Sequence, residues 1–356
     1  MSLRSVEHEI DAALAATRTA ATPVGTAIDD ILVPLADVSR GGKRVRARFV
    51  LAAHRLYGNP HPQAAAQCAA AVEIFQTAAL VHDDVLDAAD TRRGQPTIHR
   101  ALATRHAHHG GTGDSEHYGT ASAILAGDLA LMAAQRVLTQ AAWDLAPAVA
   151  RRVTALFADM SQLCTAGQYL DMRLAAQPLE ALADQEADIR ATMRSKTASY
   201  TTEFPLAMGA AVADAPEEAV AGMRALGVPL GIAFQLRDDV LGLVGSPAVT
   251  GKPAGDDVRE GKRTLLVAHA WRHGDAAVHQ ALRATFGVPD APPEDIAAAV
   301  EAIVGTGALE AVEDIIAVRV AQAHDAFDAV VHASHADAAD VAHMRDLIEL
   351  VTARSQ

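Results

Sequence analysis

The chain has 356 residues, half of them apolar, 21% charged and only 4% aromatic. That is ample material for a core, and it excludes wholesale disorder, collagen-like repeats and low-complexity character. Thirty basic against 44 acidic side chains leave a net charge of −14, which argues against nonspecific binding to nucleic acid or to an anionic membrane.

Alanine-rich runs with helical periodicity cover nearly the whole chain, and strand alternation is almost absent. The pattern predicts helices near 5–18, 24–37, 42–57, 62–88, 97–107, 117–143, 146–173, 178–193, 195–213, 216–243, 262–284, 293–304, 307–333 and 336–353. An all-α, single-domain chain over 1–356 is therefore expected, with no fixed repeat and no long Pro/Gly/Ser linker. The start, MSLRSVEHEIDAAL, is charged and lacks the apolar centre of a signal peptide. No uninterrupted apolar run reaches about 18 residues, because Asp128 and Arg224 break the best stretches, so no transmembrane segment is expected. Cys68 and Cys164 have neither disulfide-framework nor metal-ligand spacing, which suits a reduced, cytoplasmic setting.

Three loops stand out: Ser39-Arg40-Gly41-Gly42-Lys43-Arg44, Gly110–Asp114 after a histidine-rich stretch, and Gly245–Gly261. The first and third carry lysine and arginine. Glycine amides and cations at a helix start, as in Gly42-Lys43-Arg44-Val45-Arg46, form an expected oxyanion site. The histidines His106, His108, His109 and His117 read as a polar surface loop rather than a metal site.

Two acidic motifs carry more. In Val81-His82-Asp83-Asp84-Val85-Leu86-Asp87, Asp83 and Asp87 stand at i and i+4, on one helix face. Such like charges repel, and a divalent cation reverses the sign; magnesium favours a few carboxylates plus water and phosphate oxygens. Asp29-Asp30 has the pair without the third aspartate, and alone it reads as a solvated helix end. The theme returns in Phe234-Gln235-Leu236-Arg237-Asp238-Asp239, again inside an apolar run. Carboxylates in apolar helices need compensation. Cations alternate with them along the chain: Lys43, Arg46, Arg92, Arg93, Lys196, Lys252 and Lys262. Taken singly these are surface charges; together they fit two phosphorylated groups, one held through metal and one by direct contact.

The motifs GGKRVRA, EIFQTAALVHDDVLDAADTRRGQPT, ILAGDLAL, AGQYLDM, RSKTASY, FQLRDDVLG and GKPAGDDVREGKRT occur in that order between about residues 38 and 270. In this the chain resembles the trans-prenyl diphosphate synthases, or polyprenyl synthetases. The resemblance implies a bundle of long helices around a central apolar cavity, acting as a homodimer. It implies that Asp83, Asp84, Asp87, Asp238 and Asp239 hold magnesium, about three ions per active site, on the diphosphate of an allylic substrate. It assigns Arg92, Lys196, Thr197, Gln235, Lys252 and Lys262 to that same diphosphate. Gly42, Lys43, Arg46, Gln76 and Arg93 match the isopentenyl diphosphate site. Departures are Gly242 where a third aspartate is frequent, Ala47 for proline, Gln76 for histidine, and Tyr200 at an aliphatic or phenylalanine position.

The implied reaction joins isopentenyl diphosphate to an allylic prenyl diphosphate. Product length is expected to follow the helix stripe before Asp83. Ala79 and Ala78 leave a tunnel open there, and Phe75, about 12 Å along the helix, is the candidate floor. The residues disfavour ten- and fifteen-carbon products and point to geranylgeranyl or longer polyprenyl diphosphates. A class I terpene cyclase would not need GGKRVRA or the Arg92-Arg93 pair. A noncatalytic subunit of a heteromeric synthase could shed the aspartates and Lys196, yet they are present.

Overall fold

The computed structural model describes residues 2–245, 254–334 and 336–352. Almost all of them are helical; a hairpin of two-residue strands is the sole sheet among the described residues. Two compact units are present, residues 1–157 with 207–216 and residues 158–206 with 217–356. The chain passes between them three times, twice inside helices and once just ahead of Glu217.

In the first unit, α1 (Leu3–Ala20), α2 (Asp29–Ser39), α3 (Val45–Leu56), α4 (Pro62–Leu86), α5 (Ile98–His108) and α6 (Ser115–Trp143) pack around α4, and α7 (Pro147–Ala175) begins. Helix α4 is apolar on nearly every side, as a central helix must be; Ala69, Ala70, Ala71, Val72, Ile74 and Ala78 are all buried. Alanines on α6 (Ala123, Ala126, Ala130, Ala133, Ala134) are buried too, so small residues let these two helices approach closely. Asp114 caps α6, its carboxylate accepting from the Glu116 N–H at 2.9 Å. The predicted helix 24–37 is interrupted: residues Thr22–Ile28 form a 3₁₀ turn in which Gly25 takes φ 71°, and α2 starts only at Asp29. The predicted helix from 42 starts at Val45, because Gly41, Gly42 and Arg44 are left-handed.

The second unit contains the end of α7, α8 (Glu186–Thr192), a π-helical segment (Met193–Glu203), α10 (Glu217–Val244), α11 (Asp256–Arg259), α12 (Leu265–His273), α13 (Ala276–Thr285), α14 (Pro293–Gly305), α15 (Ala308–Ala333) and α16 (Ala338–Thr352). Helix α9 (Phe204–Val212) carries the chain back to the first unit. Helix α10 packs on α15 and on the π-helical segment. Its buried Leu236, Val240 and Leu243 join Val258, Leu266, Trp271, Leu282, Ile296 and Ile303 in one core. At roughly 1.5–3 kcal/mol for each fully buried large side chain, such clusters supply the main drive to fold. The predicted helix 262–284 is two helices. Gly274 breaks it with φ −75° and ψ 159°, and Asp275 restarts it by accepting from the Ala277 and Val278 N–H groups.

Three helices, α4, α6 and α10, are long and apolar enough to cross a membrane by length and composition. The criterion differs from that of uninterrupted runs, since a hydropathy window over the described residues tolerates an Asp128 or an Arg224. In α4, 78% of that window is buried inside the protein.

Candidate active site

The first aspartate group ends α4. Asp84 is buried, Asp83 half-buried and Asp87 exposed. Asp87 is the C-cap, its N–H donating to the Asp83 carbonyl at 2.9 Å, so the carboxylates gather at the last helical turn. Next comes the small hairpin, β1 (Thr91–Arg92) with β2 (Gln95–Pro96), in the register Thr91 with Pro96 and Arg92 with Gln95. Its two-residue turn, Arg93-Gly94, has φ 53° and 74°. Positive φ at both central positions is what a tight hairpin with natural twist requires. The turn separates two neighbouring arginines. Arg92 Nε donates to Asp84 Oδ1 at 2.6 Å, and its Nη2 lies 3.4 Å from Asp83 Oδ2. The Arg93 guanidinium lies 3.5 Å from where a Cβ on Gly42 would stand.

The loop before α3 therefore faces Arg93. Lys43 is exposed, Arg46 buried, and Gln76 half-buried on α4. The expected oxyanion role of the α3 start is altered: the Ala47 N–H donates to Glu73 Oε1 at 2.9 Å, so a protein carboxylate already caps this end. Side chains rather than the helix terminus are left as the cationic contribution of the loop. On the other side of α4, the His82 ring reaches the Ile124 carbonyl at 3.2 Å and Asp128 at 3.6 Å. Gly127 makes this possible, because a Cβ there would collide with the ring.

The second group lies in the other unit. Thr197 Oγ1 donates to Gln235 Oε1 at 2.6 Å, Gln235 Nε2 donates to Asp239 Oδ1 at 2.8 Å, and Lys262 Nζ donates to the same oxygen at 3.1 Å. Asp239 is buried and Asp238 half-buried. Burial alone would lower the Lys262 ammonium; Asp239, then Asp257 and Asp238, outweigh it and hold it well above the ordinary lysine range. The sequence reading missed Asp257, 3.7 Å from Lys262 Nζ. Its carboxylate occupies the space that a side chain at Gly242 would need. Lys196 Nζ donates to Asp171 Oδ2 at 2.6 Å. Both Lys196 and Thr197 sit in the π-helical segment, and such wide turns occur preferentially at functional sites. Gly167 on α7 abuts the Lys196 backbone, and Gly227 and Gly231 on α10 abut Glu203 and Ala198, so the segment is notched into both helices. Lys252 lies outside the described residues.

Among the described residues no three His, Cys, Asp or Glu groups stand together as a ready-made metal cage. Magnesium does not need one, since it is held by one or two carboxylates with water and substrate phosphates completing the shell. The hard oxygens of Asp83 and Asp84 in the first unit, and of Asp239 in the second, each turned toward a cationic side chain, are of the type such ions take. The histidine-rich loop is engaged otherwise: His106 stacks on Tyr118 at 4.4 Å and bonds Ser115 Oγ at 3.0 Å.

Residues 31–303 match the family model described as polyprenyl synthetase. The chain belongs to the polyprenyl synthetase family. A solved geranylgeranyl pyrophosphate synthase from Corynebacterium glutamicum, complexed with isoprenyl diphosphate and magnesium, is 35% identical with a TM-score of 0.88, covering 98% of both chains. The geranylfarnesyl diphosphate synthase of Aeropyrum pernix is 33% identical over 81% of this chain and 83% of its own. The octaprenyl diphosphate synthase of Haemophilus influenzae is 30% identical over 79% and 71%. This polyprenyl synthetase has the all-α fold of its solved relatives.

Proposed function

We propose that the chain condenses isopentenyl diphosphate with an allylic prenyl diphosphate, head to tail, and releases geranylgeranyl diphosphate. The observation that carries this reading is the hairpin, which directs Arg92 to the aspartates and Arg93 to the glycine loop. An enzyme with two diphosphate substrates needs two cationic subsites, and a cyclase needs one. Arg92, Lys196, Thr197, Gln235, Lys252 and Lys262 are assigned to the allylic diphosphate. Gly42, Lys43, Arg46, Gln76 and Arg93 are assigned to isopentenyl diphosphate.

In the first step the allylic carbon–oxygen bond breaks and its electron pair leaves with pyrophosphate, giving a delocalised cation. The lysines and Arg92 stabilise the charge that develops on the leaving group. Magnesium, about three ions held by Asp83, Asp84, Asp87, Asp238 and Asp239, would add positive charge at that leaving group when bound. The double bond of isopentenyl diphosphate then attacks the cation, and a proton passes to the released pyrophosphate. Buried alanines along α4 keep water from the cation.

Product length is read from α4. Ala78 is fully buried, Ala79 half-buried, and Phe75 meets Phe157 edge to face at 6.0 Å between centroids. A pair of rings at that depth supports a twenty-carbon product. Longer all-trans polyprenyl diphosphates are the second reading, favoured by the small side chains at 78 and 79. We take the whole chain to be one cytoplasmic catalytic domain that works as a homodimer, a reading supported by the exposed Ile124, Leu125 and Met132 on α6.

The test is product mass from the purified chain with magnesium, isopentenyl diphosphate and, separately, dimethylallyl, geranyl and farnesyl diphosphates. A ladder ending at twenty carbons is expected. A longer end point selects the second reading. A cyclic hydrocarbon from the allylic substrate alone, or no turnover, overturns the assignment in favour of a cyclase or a noncatalytic subunit.

A further inference from the structure

The loop ahead of α3 does not specify its own shape. Gly41, Gly42 and Arg44 have φ of 78°, 80° and 49°. A left-handed arginine costs on the order of 1–3 kcal/mol and persists only when its surroundings impose it. Arg44 is also the N-cap of α3 and makes no side-chain cap hydrogen bond there. Its guanidinium is gripped instead. Nε and Nη2 donate to Glu7 at 2.7 and 2.9 Å, Nη2 donates to the Ser39 carbonyl at 2.6 Å, and Nη1 lies 3.4 Å from Glu73 Oε2. The other Glu73 oxygen takes the Ala47 N–H. One carboxylate on α4 thus holds both the last loop residue and the first turn of α3. Lys43 directly precedes the first of these anchor points, Arg44, and Arg46 lies between it and the second, Ala47.

Glu73 is 3% exposed on an otherwise apolar, alanine-rich stretch of α4. Burying a charge there costs several kcal/mol before its partners compensate, and a buried ion pair is weak evidence of stabilisation. Its placement is better explained by what it positions. Resting on the assignment of this loop to isopentenyl diphosphate, we propose that Glu73 is a positioning residue for that substrate, fixing Lys43 and Arg46 through Arg44 and the α3 amide without touching the substrate itself.

The test compares Glu73→Gln, Arg44→Lys and Arg93→Ala by steady-state kinetics, varying each substrate separately. Glu73→Gln keeps the shape and an acceptor for Ala47 but loses the negative charge facing Arg44. Arg44→Lys keeps the charge but cannot reach Glu7, Ser39 and Glu73 at once, and it decides by the same readout should Glu73→Gln fail to fold. The expected result is a KM for isopentenyl diphosphate raised about tenfold in both, with kcat and the allylic KM within about twofold of the parent. Arg93→Ala should raise the same KM. If Arg93→Ala does so while Glu73→Gln and Arg44→Lys leave it unchanged, or move both KM values alike, the positioning role is overturned and the site assignment stands. If Arg93→Ala leaves that KM unchanged, the site assignment fails and the proposal falls with it.

Discussion

Arg92 and the carboxylates at the end of α4 are partners in the structure and competitors in the proposed chemistry. With Nε at 2.6 Å from Asp84, the guanidinium already provides a positive charge where a metal ion is expected to add more. Asp83→Ala removes an assigned ligand but no core volume, so we expect kcat to fall by about a hundredfold or more while helical circular dichroism is unchanged. Parent-like rates would remove Asp83 from the metal site. A second residue-scale prediction concerns His54. It is fully buried, one ring nitrogen engages the Pro60 carbonyl, and burial holds its pKa below the ordinary histidine value. Its folded pKa is thus depressed relative to the unfolded chain, and the neutral ring is favoured on folding. This contribution is complete above about pH 6.5 and is lost as pH falls below that value toward the folded pKa. Urea midpoints measured between pH 7.5 and 5.5 should decline, and His54→Gln should flatten that slope. As candidates, Asp83, Asp84, Arg92, Lys196, Asp238 and Lys262 are legible in the sequence because they belong to dense local motifs. Glu73 and Asp257 were not singled out, because their roles arise from partners 26 and 15 positions away, Ala47 and Gly242.

At the scale of elements, the helices were legible wherever burial imposes a continuous stripe, as in α4, α6 and α10. The misplaced ends have local causes: left-handed Gly25 and Arg44, and the Gly274-Asp275 restart. The π-helical winding of Met193–Glu203 was not legible, since side-chain periodicity does not report which carbonyl an amide selects. The glycine notches suggest what that winding requires. Gly167→Ala places a methyl group against the Lys196 backbone, which cannot swing aside as a side-chain tip can. We expect a loss of about 1–3 kcal/mol in stability and a lower kcat than that loss alone would cause, checked by urea melts beside rates on the folded fraction. On α4, Ala78→Phe adds a ring where the side chain is fully buried, next to the Phe75 and Phe157 pair. Mass spectrometry should then find shorter products; an unchanged distribution would place the growing chain elsewhere.

For the whole molecule, the balance of −14 makes each cationic subsite a local inversion of a negative field. Diphosphate affinity should therefore depend on a few named side chains rather than on overall attraction. The exposed apolar side chains of α6 are the matching exception on the outside. We expect light scattering to give twice the chain mass, and Leu125→Glu to shift it to that of a single chain. The grip of Glu7 on Arg44 has a practical consequence of a different kind. The Glu7 carboxylate, on the first helix, reaches a loop 37 positions downstream. Trimming the amino end, or fusing a bulky partner to it, is ordinarily treated as cosmetic in preparing a helical enzyme. Here such an edit would register as a change in saturation behaviour, and two preparations differing only in where they begin would disagree about the same substrate.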